Sequence, residues 1–315
     1  MTNTSSHLPT SATMISHGNQ SSSPSSIAVL ERNFSEIGVH LDADERTFWC
    51  HLRPSGRPCV SPELLRELSM MQGDVAQWLS QTAETARPFD YFVVASEIPG
   101  VFNLGGDLRL FADSVRHGHR LLLQQYAYRC VEIVHNNLTC YNQPLVTIAL
   151  VQGDALGGGF ETALSCNLIA AERGTKFGLP EVLFNLFPGM GAYSLIARRI
   201  GAVQAERMIL SGRIYTAEEL HELGLVDILL TPGHGVRELQ DYIRQQSRRH
   251  NALQAVHKAR NLVAPITLRE LQEVTDVWVD AAMKLGPADL RKMERLAAAQ
   301  DRRRSRTSSI MVAAE

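Results

Sequence analysis

Two glutamates and a set of glycines in this 315-residue chain have the types and spacing of a site that handles an oxyanion and a proton together. Gly157, Gly158 and Gly159 stand in a row after the β-branched apolar run 145–151, and Phe160 and Glu161 follow at once. Glycine lets a backbone approach a ligand with no side chain in the way. The first N–H groups of a helix have no intrahelical acceptor and sit at the positive end of its dipole. A strand, a glycine turn and a helix in this order can present the amide of Gly158 to an oxyanion and set Glu161 beside it. The segment 102–108 (Phe-Asn-Leu-Gly-Gly-Asp-Leu) ends another strand loop on two glycines and offers Gly106 as a second donor. Two amides converging on one oxygen stabilise the charge a carbonyl takes on in an enolate or tetrahedral intermediate. Loss of one such donor costs about 2.7–4 kcal/mol of transition-state stabilisation.

The second carboxylate lies in Phe177-Gly-Leu-Pro-Glu-Val182, where Pro180 opens a helical turn and Glu181 follows it. Two carboxyls brought together cannot both ionise easily: one pKa rises, leaving an acid and a base. That pair is equipment for adding or removing water across a carbon–carbon bond next to a carbonyl. Taken singly, each segment also reads as a tight turn or as charge at a helix N-terminus. Their coincidence is what points to chemistry.

The elements that must position these groups follow from pattern. Residues 47–52 and 89–96 read as strands. A helix opens at Ser61, Pro62 and Glu63 and runs to about 85. Residues 97–106 form a loop, 113–138 a helix, 145–151 a buried strand, 160–166 a helix and 168–171 a short strand. Helices are expected at 193–199, 203–210 and 217–223, the last stopped by Gly224, with a short strand at 226–230. From 236 to about 300 nearly everything reads as helix, interrupted at Pro265, Gly286 and Pro287. Strands alternating with helices first, and helices alone later, imply an α/β core followed by a helical subdomain.

Composition sets the frame. Apolar residues make up 44% and charged residues 20%, as in an ordinary soluble protein, and the net charge of −2 provides no global field to recruit nucleic acid or a membrane. No apolar run approaches the ~20 residues of a membrane span. The first 26 residues are rich in Ser, Thr, Asn and Pro and read as a disordered tail, without the apolar stretch of a secretory signal or the arginines of a transit peptide. Residues 301–315 read as a polar tail. Cys50, Cys59, Cys130, Cys140 and Cys166 are odd in number and lack a CxxC, so neither a disulfide framework nor a metal site is expected, and a reducing cytoplasm fits. Cys166 reads as a small buried hydrophobe. The resulting division is 1–26 tail, 27–230 α/β core, 231–300 helical subdomain and 301–315 tail.

Several motifs in register (Gly153-Asp-Ala-Leu-Gly-Gly-Gly-Phe-Glu161, Phe177-Gly-Leu-Pro-Glu181, Pro188-Gly-Met-Gly191 and Gly224-Leu-Val-Asp227) together resemble the crotonase, or enoyl-CoA hydratase/isomerase, superfamily. Within it the chain resembles the bacterial diffusible-signal-factor synthases, through 101–108, 149–153, 178–184, 186–194 and 278–283. The resemblance implies a spiral of ββα units with a C-terminal helical trimerisation subdomain, assembled as a trimer or hexamer. It implies Gly106 and Gly158 as the oxyanion donors and Glu161 and Glu181 as the catalytic pair, with acid and base left unassigned. It further implies dehydration of a 3-hydroxyacyl group on acyl carrier protein and hydrolysis of the thioester to a free cis-2-unsaturated acid, without a resident cofactor. Leu156, Leu179, Met190 and Trp278 are candidates for an acyl pocket. Arg109, Arg116, His117, His119 and Arg120 are candidates for a basic rim facing the acidic carrier. A sensor-kinase receiver domain is a further partner the resemblance suggests. Two other readings stand beside it: an enoyl-CoA hydratase of fatty-acid degradation, and a non-catalytic regulatory trimer. Three segments depart from the usual family pattern: Cys166-Asn167, Leu104-Gly-Gly-Asp107 and the short stretch 53–63 where relatives meet the nucleotide of CoA.

Overall fold

A computed structural model of the chain describes residues 28–83 and 86–312, with side chains for 29–83 and 86–301. The N-terminal tail expected at 1–26 lies outside the described residues.

The chain opens with α1 (Ala28–Glu31), β1 (Ile37–Asp42), β2 (Thr47–Leu52), α2 (Pro62–Gln81), β3 (Tyr91–Ser96) and β4 (Val101–Asn103). Next come α3 (Leu108–Arg116), α4 (Arg120–Leu138), β5 (Val146–Val151), β6 (Asp154–Leu156), α5 (Gly158–Leu164), β7 (Leu168–Glu172) and β8 (Lys176–Gly178). A 3-10 turn at Pro180–Phe184 leads to α6 (Ala192–Ile200), α7 (Ala202–Ser211), β9 (Ile214–Thr216), α8 (Ala217–Glu222) and β10 (Ile228–Leu230). Four helices finish the chain: α9 (Gly235–Ser247), α10 (His250–Val263), α11 (Leu268–Ala282) and α12 (Pro287–Val312).

The strands form two sheets, β1-β2-β3-β5-β7-β10 and β4-β6-β8-β9. Three strands of the first sheet lead into three-residue strands of the second, β3 into β4, β5 into β6 and β7 into β8. A helical crossover then returns the chain to a parallel neighbour, with β3 pairing β5 and β5 pairing β7. This is the spiral of ββα units that the family resemblance implied. Its consequence for function is geometric: parallel β3 and β5 send the chain out at the same end of the sheet, toward Gly106 just past β4 and Gly158 at the start of α5.

Both faces of the large sheet are covered, which explains the nearly unbroken apolar strands. Along β3, Phe92 and Val94 point into the main core with α2 and α4, while Tyr91, Val93 and Ala95 pack with α9 residues Leu239 and Ile243. Ser61 caps α2 as expected, accepting from the Leu64 N–H at 3.1 Å.

Several boundaries differ from the sequence reading. The helix expected over 113–138 is two helices, broken where Gly118 adopts φ 69°. The loop expected at 97–106 contains β4, and α2 stops at Gln81. The helical region does not end at 300: α12 continues through Val312, into the stretch expected as a polar tail. No helix among the described residues is long and apolar enough to cross a membrane.

Candidate active site

The turn before α5 is built from glycine because it has to be. Gly157 sits at φ 51°, and a Cβ there would lie 2.5 Å from Glu181 Oε1. A Cβ on Gly159 would lie 2.1 Å from the Asn103 carbonyl oxygen, so α5 can close onto β4 only without one. Gly158 is the first residue of α5, and its N–H therefore has no carbonyl one turn back. The Cβ position of Gly158 is 3.5 Å from the Gly106 nitrogen, which places the two amide-bearing residues side by side.

The Gly105–Gly106 loop is fixed from all sides. Gly105 N–H donates to Asn103 Oδ1 at 2.8 Å, and its carbonyl accepts from Val60 N–H at 2.7 Å. Asp107 N–H donates to Tyr126 Oη at 3.2 Å, and Tyr126 in turn donates to the Val60 carbonyl at 2.5 Å. Asp107 caps α3 by accepting from the N–H groups of Arg109 and Leu110, and it pairs with Arg57 at 2.9 Å. Every amide around Gly106 is thus engaged, while the Gly106 N–H has no acceptor among the described residues. The ring of Phe111 packs where a side chain at 106 would stand, 2.4 Å from that Cβ position.

Glu161 and Glu181 face one cavity with Gly106 and Gly158. Glu161 is 1% exposed, and its Oε1 accepts from the N–H groups of Met190 and Ala192 at 2.7 and 2.9 Å. Burial raises its pKa to about 7, against the pull of those two amides. Glu181 is raised further, to about 8, first by burial and then by the charge of Glu161. Its Oε2 is out of solvent and has no hydrogen-bond partner. The difference in partners ranks the pair: Glu161 is the better anion, Glu181 the better acid. Burial and their mutual repulsion both oppose ionising the two carboxyls together.

The rest of the wall is apolar. Phe111, Trp278, Met190, Phe184 and Leu186 close the cavity, and Trp278 meets Phe111 edge-on at 5.1 Å. The free space is about 30 Å³, room for little more than a water molecule. Met190, unbranched and touching both Gly158 and the cavity, is the most pliant side chain of this wall.

Of the pocket candidates, Met190 and Trp278 line this cavity; Leu156 and Leu179 do not. Leu179 is 1% exposed and packs in the main core, and the positions beside it that reach the cavity are Glu181 and Phe184. The basic rim also differs from a simple count of cations. Arg109 pairs with Asp301 at 2.5 Å, Arg116 with Glu294 at 2.5 Å and Arg120 with Asp280 at 2.8 Å. These arginines tie α3 and the start of α4 to α11 and α12, and their charge is offset by carboxylates the sequence pattern did not pair with them. His117 and His119 stack on each other, centroids 5.7 Å apart. Cys166 is buried, its thiol pushed up to about 12 by burial, in keeping with a packing role.

Sequence reasoning missed Tyr126 and Phe111. Tyr126 offered a signal: a phenol on the apolar face of a helix needs a buried partner for its hydroxyl. Among the described residues no group of three or more His, Cys, Asp or Glu side chains could hold a metal ion.

Comparison with known proteins agrees with this geometry. The family model for enoyl-CoA hydratase/isomerase matches residues 70–293. The chain is 34% identical over 176 residues to the 2,3-dehydroadipyl-CoA hydratase of Escherichia coli (strain K12), covering 55% of this chain and 62% of that one. It is 33% identical over 138 residues to the mitochondrial methylglutaconyl-CoA hydratase of Rattus norvegicus, covering 44% of this chain and 42% of the relative. It thus spans less than two thirds of either curated relative. Among solved structures, an enoyl-CoA hydratase from Bacillus halodurans superposes with a TM-score of 0.68 at 22% identity, over 82% of this chain and 98% of that one, a likeness of fold.

Proposed function

Because the chain belongs to the enoyl-CoA hydratase/isomerase family, we propose that it adds or removes water across C2–C3 of a fatty acyl thioester. The observation that carries this reading is the meeting of two raised-pKa carboxyls and two adjacent glycine amides in one apolar cavity. The thioester oxygen lies between the amides of Gly106 and Gly158, which stabilise the enolate. In the resting state Glu161 is charged and Glu181 protonated. That arrangement suits hydration: Glu161 draws a proton from water as its oxygen bonds to C3, and Glu181 supplies a proton to C2. Elimination runs the same two transfers in reverse, from the form in which the shared proton sits on Glu161. No resident cofactor takes part.

Within this reaction class we favour the signal synthase: dehydration of a 3-hydroxyacyl group on acyl carrier protein to a cis-2-enoyl thioester, then hydrolysis. In the second step water attacks the thioester carbonyl, the acyl–sulfur bond breaks, and the carrier thiol takes up a proton. The support is the set of segments at 101–108, 178–184, 186–194 and 278–283, together with a deep apolar wall formed by Met190 and Trp278. With the resemblance to the signal synthases, this proposal includes a homotrimer or hexamer and, as further partners, the carrier protein and a receiver domain. The alternative is a hydratase acting on CoA thioesters, favoured by the names of the two curated relatives.

Two incubations separate the two. With 3-hydroxydodecanoyl carrier protein as substrate, the synthase releases free dodecenoic acid detectable by mass spectrometry. A hydratase instead hydrates crotonyl-CoA rapidly and releases no free acid from either thioester. If neither thioester changes, the enzymatic reading fails.

A further inference from the structure

A second site lies at the other end of the sheet. A groove of about 770 Å³ runs between the C-terminal end of α2, the turn after α4 and helix α10, and it shares no residue with the catalytic cavity. Pro144 and Leu145 at its edge precede β5, whereas the catalytic glycines follow that strand, so roughly 20 Å of extended chain separates the two.

Three independent features mark the groove as built. First, its charged side chains have one sign: Arg87 and Lys258 line it, and no Asp or Glu does among the described residues. Second, it contains an orphan donor or acceptor. His257 is 7% exposed, and its Nε2 is buried without a hydrogen-bond partner. Third, its floor is strained. Cys140, Tyr141 and Asn142 adopt φ of 52°, 57° and 55° in succession, a left-handed turn with no glycine in it. Such conformations persist where surrounding structure enforces them, and they cluster at ligand sites. The enforcement is visible here: Tyr141 Oη donates to Asn137 Oδ1 at 3.3 Å, and Cys140 Sγ donates to Asn167 Oδ1 at 3.0 Å.

We propose that this groove binds a phosphate-bearing small molecule of nucleotide size, held by Lys258 and His257. The side chains of Asn142, Gln143 and Gln254 carry no hydrogen bond among the described residues and point to the rest of the recognition. Leu79, Leu145 and Leu262 supply the apolar surface a flat organic body needs, and the volume falls in the range of small-ligand sites. Burial, with Arg260 and Arg199 nearby, holds the His257 imidazole neutral, its pKa near 4. An oxyanion brought alongside would favour its protonated, doubly donating form. The site does not depend on the catalytic reading above.

The test is isothermal titration of the full chain with inorganic phosphate and with ADP. The expected result is one ADP per chain with a Kd of about 1 mM or tighter, and weaker binding of phosphate alone. Lys258→Glu should weaken ADP at least about tenfold, Lys258→Arg should retain it, and both should leave the thioester chemistry unchanged. His257→Gln, read by the same titration, should weaken it as well. The inference is overturned if neither ligand binds, or if Lys258→Glu binds ADP as the wild type does, which would place the nucleotide elsewhere on the molecule.

Discussion

Replacing Glu181 by glutamine tests the electrostatics of the carboxylate pair directly. Glu181 Oε2 is buried without a partner, and burial, then the charge of Glu161, lifts its pKa from 4.5 to about 8. In the unfolded chain the same carboxyl ionises near its ordinary value. Between the two values the folded state holds a proton the unfolded state lacks, so stability falls as pH rises. One pH unit corresponds to about 1.36 kcal/mol, so the loss by pH 9 is on the order of 5 kcal/mol. That is an upper bound, because Glu161 shares the proton. Glutamine has the shape of the protonated acid and no charge to lose. Glu181→Gln should therefore match the wild type near pH 5 to within about 1 kcal/mol and exceed it by roughly 2–5 kcal/mol at pH 9. Urea unfolding at the two pH values, followed by circular dichroism, measures this, and kcat for water addition should fall about 100- to 10,000-fold. A stability difference that does not change with pH would refute the reasoning.

Four further outcomes follow from the same geometry. The pH dependence of kcat/KM should be bell-shaped, with limbs near 7 and 8, the values to which burial raises Glu161 and Glu181; a flat profile from pH 6 to 9 would contradict a shared proton. Gly158→Ala places a Cβ 2.5 Å from Met190 Sδ, a movable side-chain end, so the variant should fold while its kcat drops at least about tenfold. Tyr126→Phe removes the bond from Asp107 N–H to the phenol and should lower kcat several-fold with KM nearly unchanged, since it loosens the loop that aims Gly106; a change confined to KM would argue against that role. Gly189→Ala drives a Cβ to 2.4 Å from the Trp278 ring and should destabilise the chain by roughly 1–3 kcal/mol in thermal unfolding.

The sequence made the catalytic centre more legible than its walls. Gly157–Gly159 and Glu161 stood out because they coincide with the Gly105–Gly106 loop and the Pro180-Glu181 turn, and the structure shows what stands against each glycine: Glu181 Oε1, Met190 Sδ and the Asn103 carbonyl occupy the space where side chains would go. The short strands β4, β6, β8 and β9 escaped detection because three residues are too few for an alternating pattern. Leu156 and Leu179 were indistinguishable from Met190 as apolar neighbours of the glycines, since only the path of the chain decides which of them faces the cavity. Arg109, Arg116 and Arg120 looked like a free basic face because Asp301, Glu294 and Asp280 lie 160 or more residues away, although Arg116 also has a local partner in Asp113. Phe111 and Tyr126 were hidden as ordinary apolar positions of helices. They matter because α3 and α4 fold back over the oxyanion loop.

The central claim is that the carboxylates and amides gathered at the end of β5 move water on and off an acyl thioester. The most direct measurement supplies a medium-chain 2-enoyl thioester in water enriched in oxygen-18. The account predicts a 3-hydroxyacyl product carrying the heavy oxygen with the wild type, and none above background with Glu161→Gln or Glu181→Gln. Equal incorporation by all three proteins, or none by any, would contradict it.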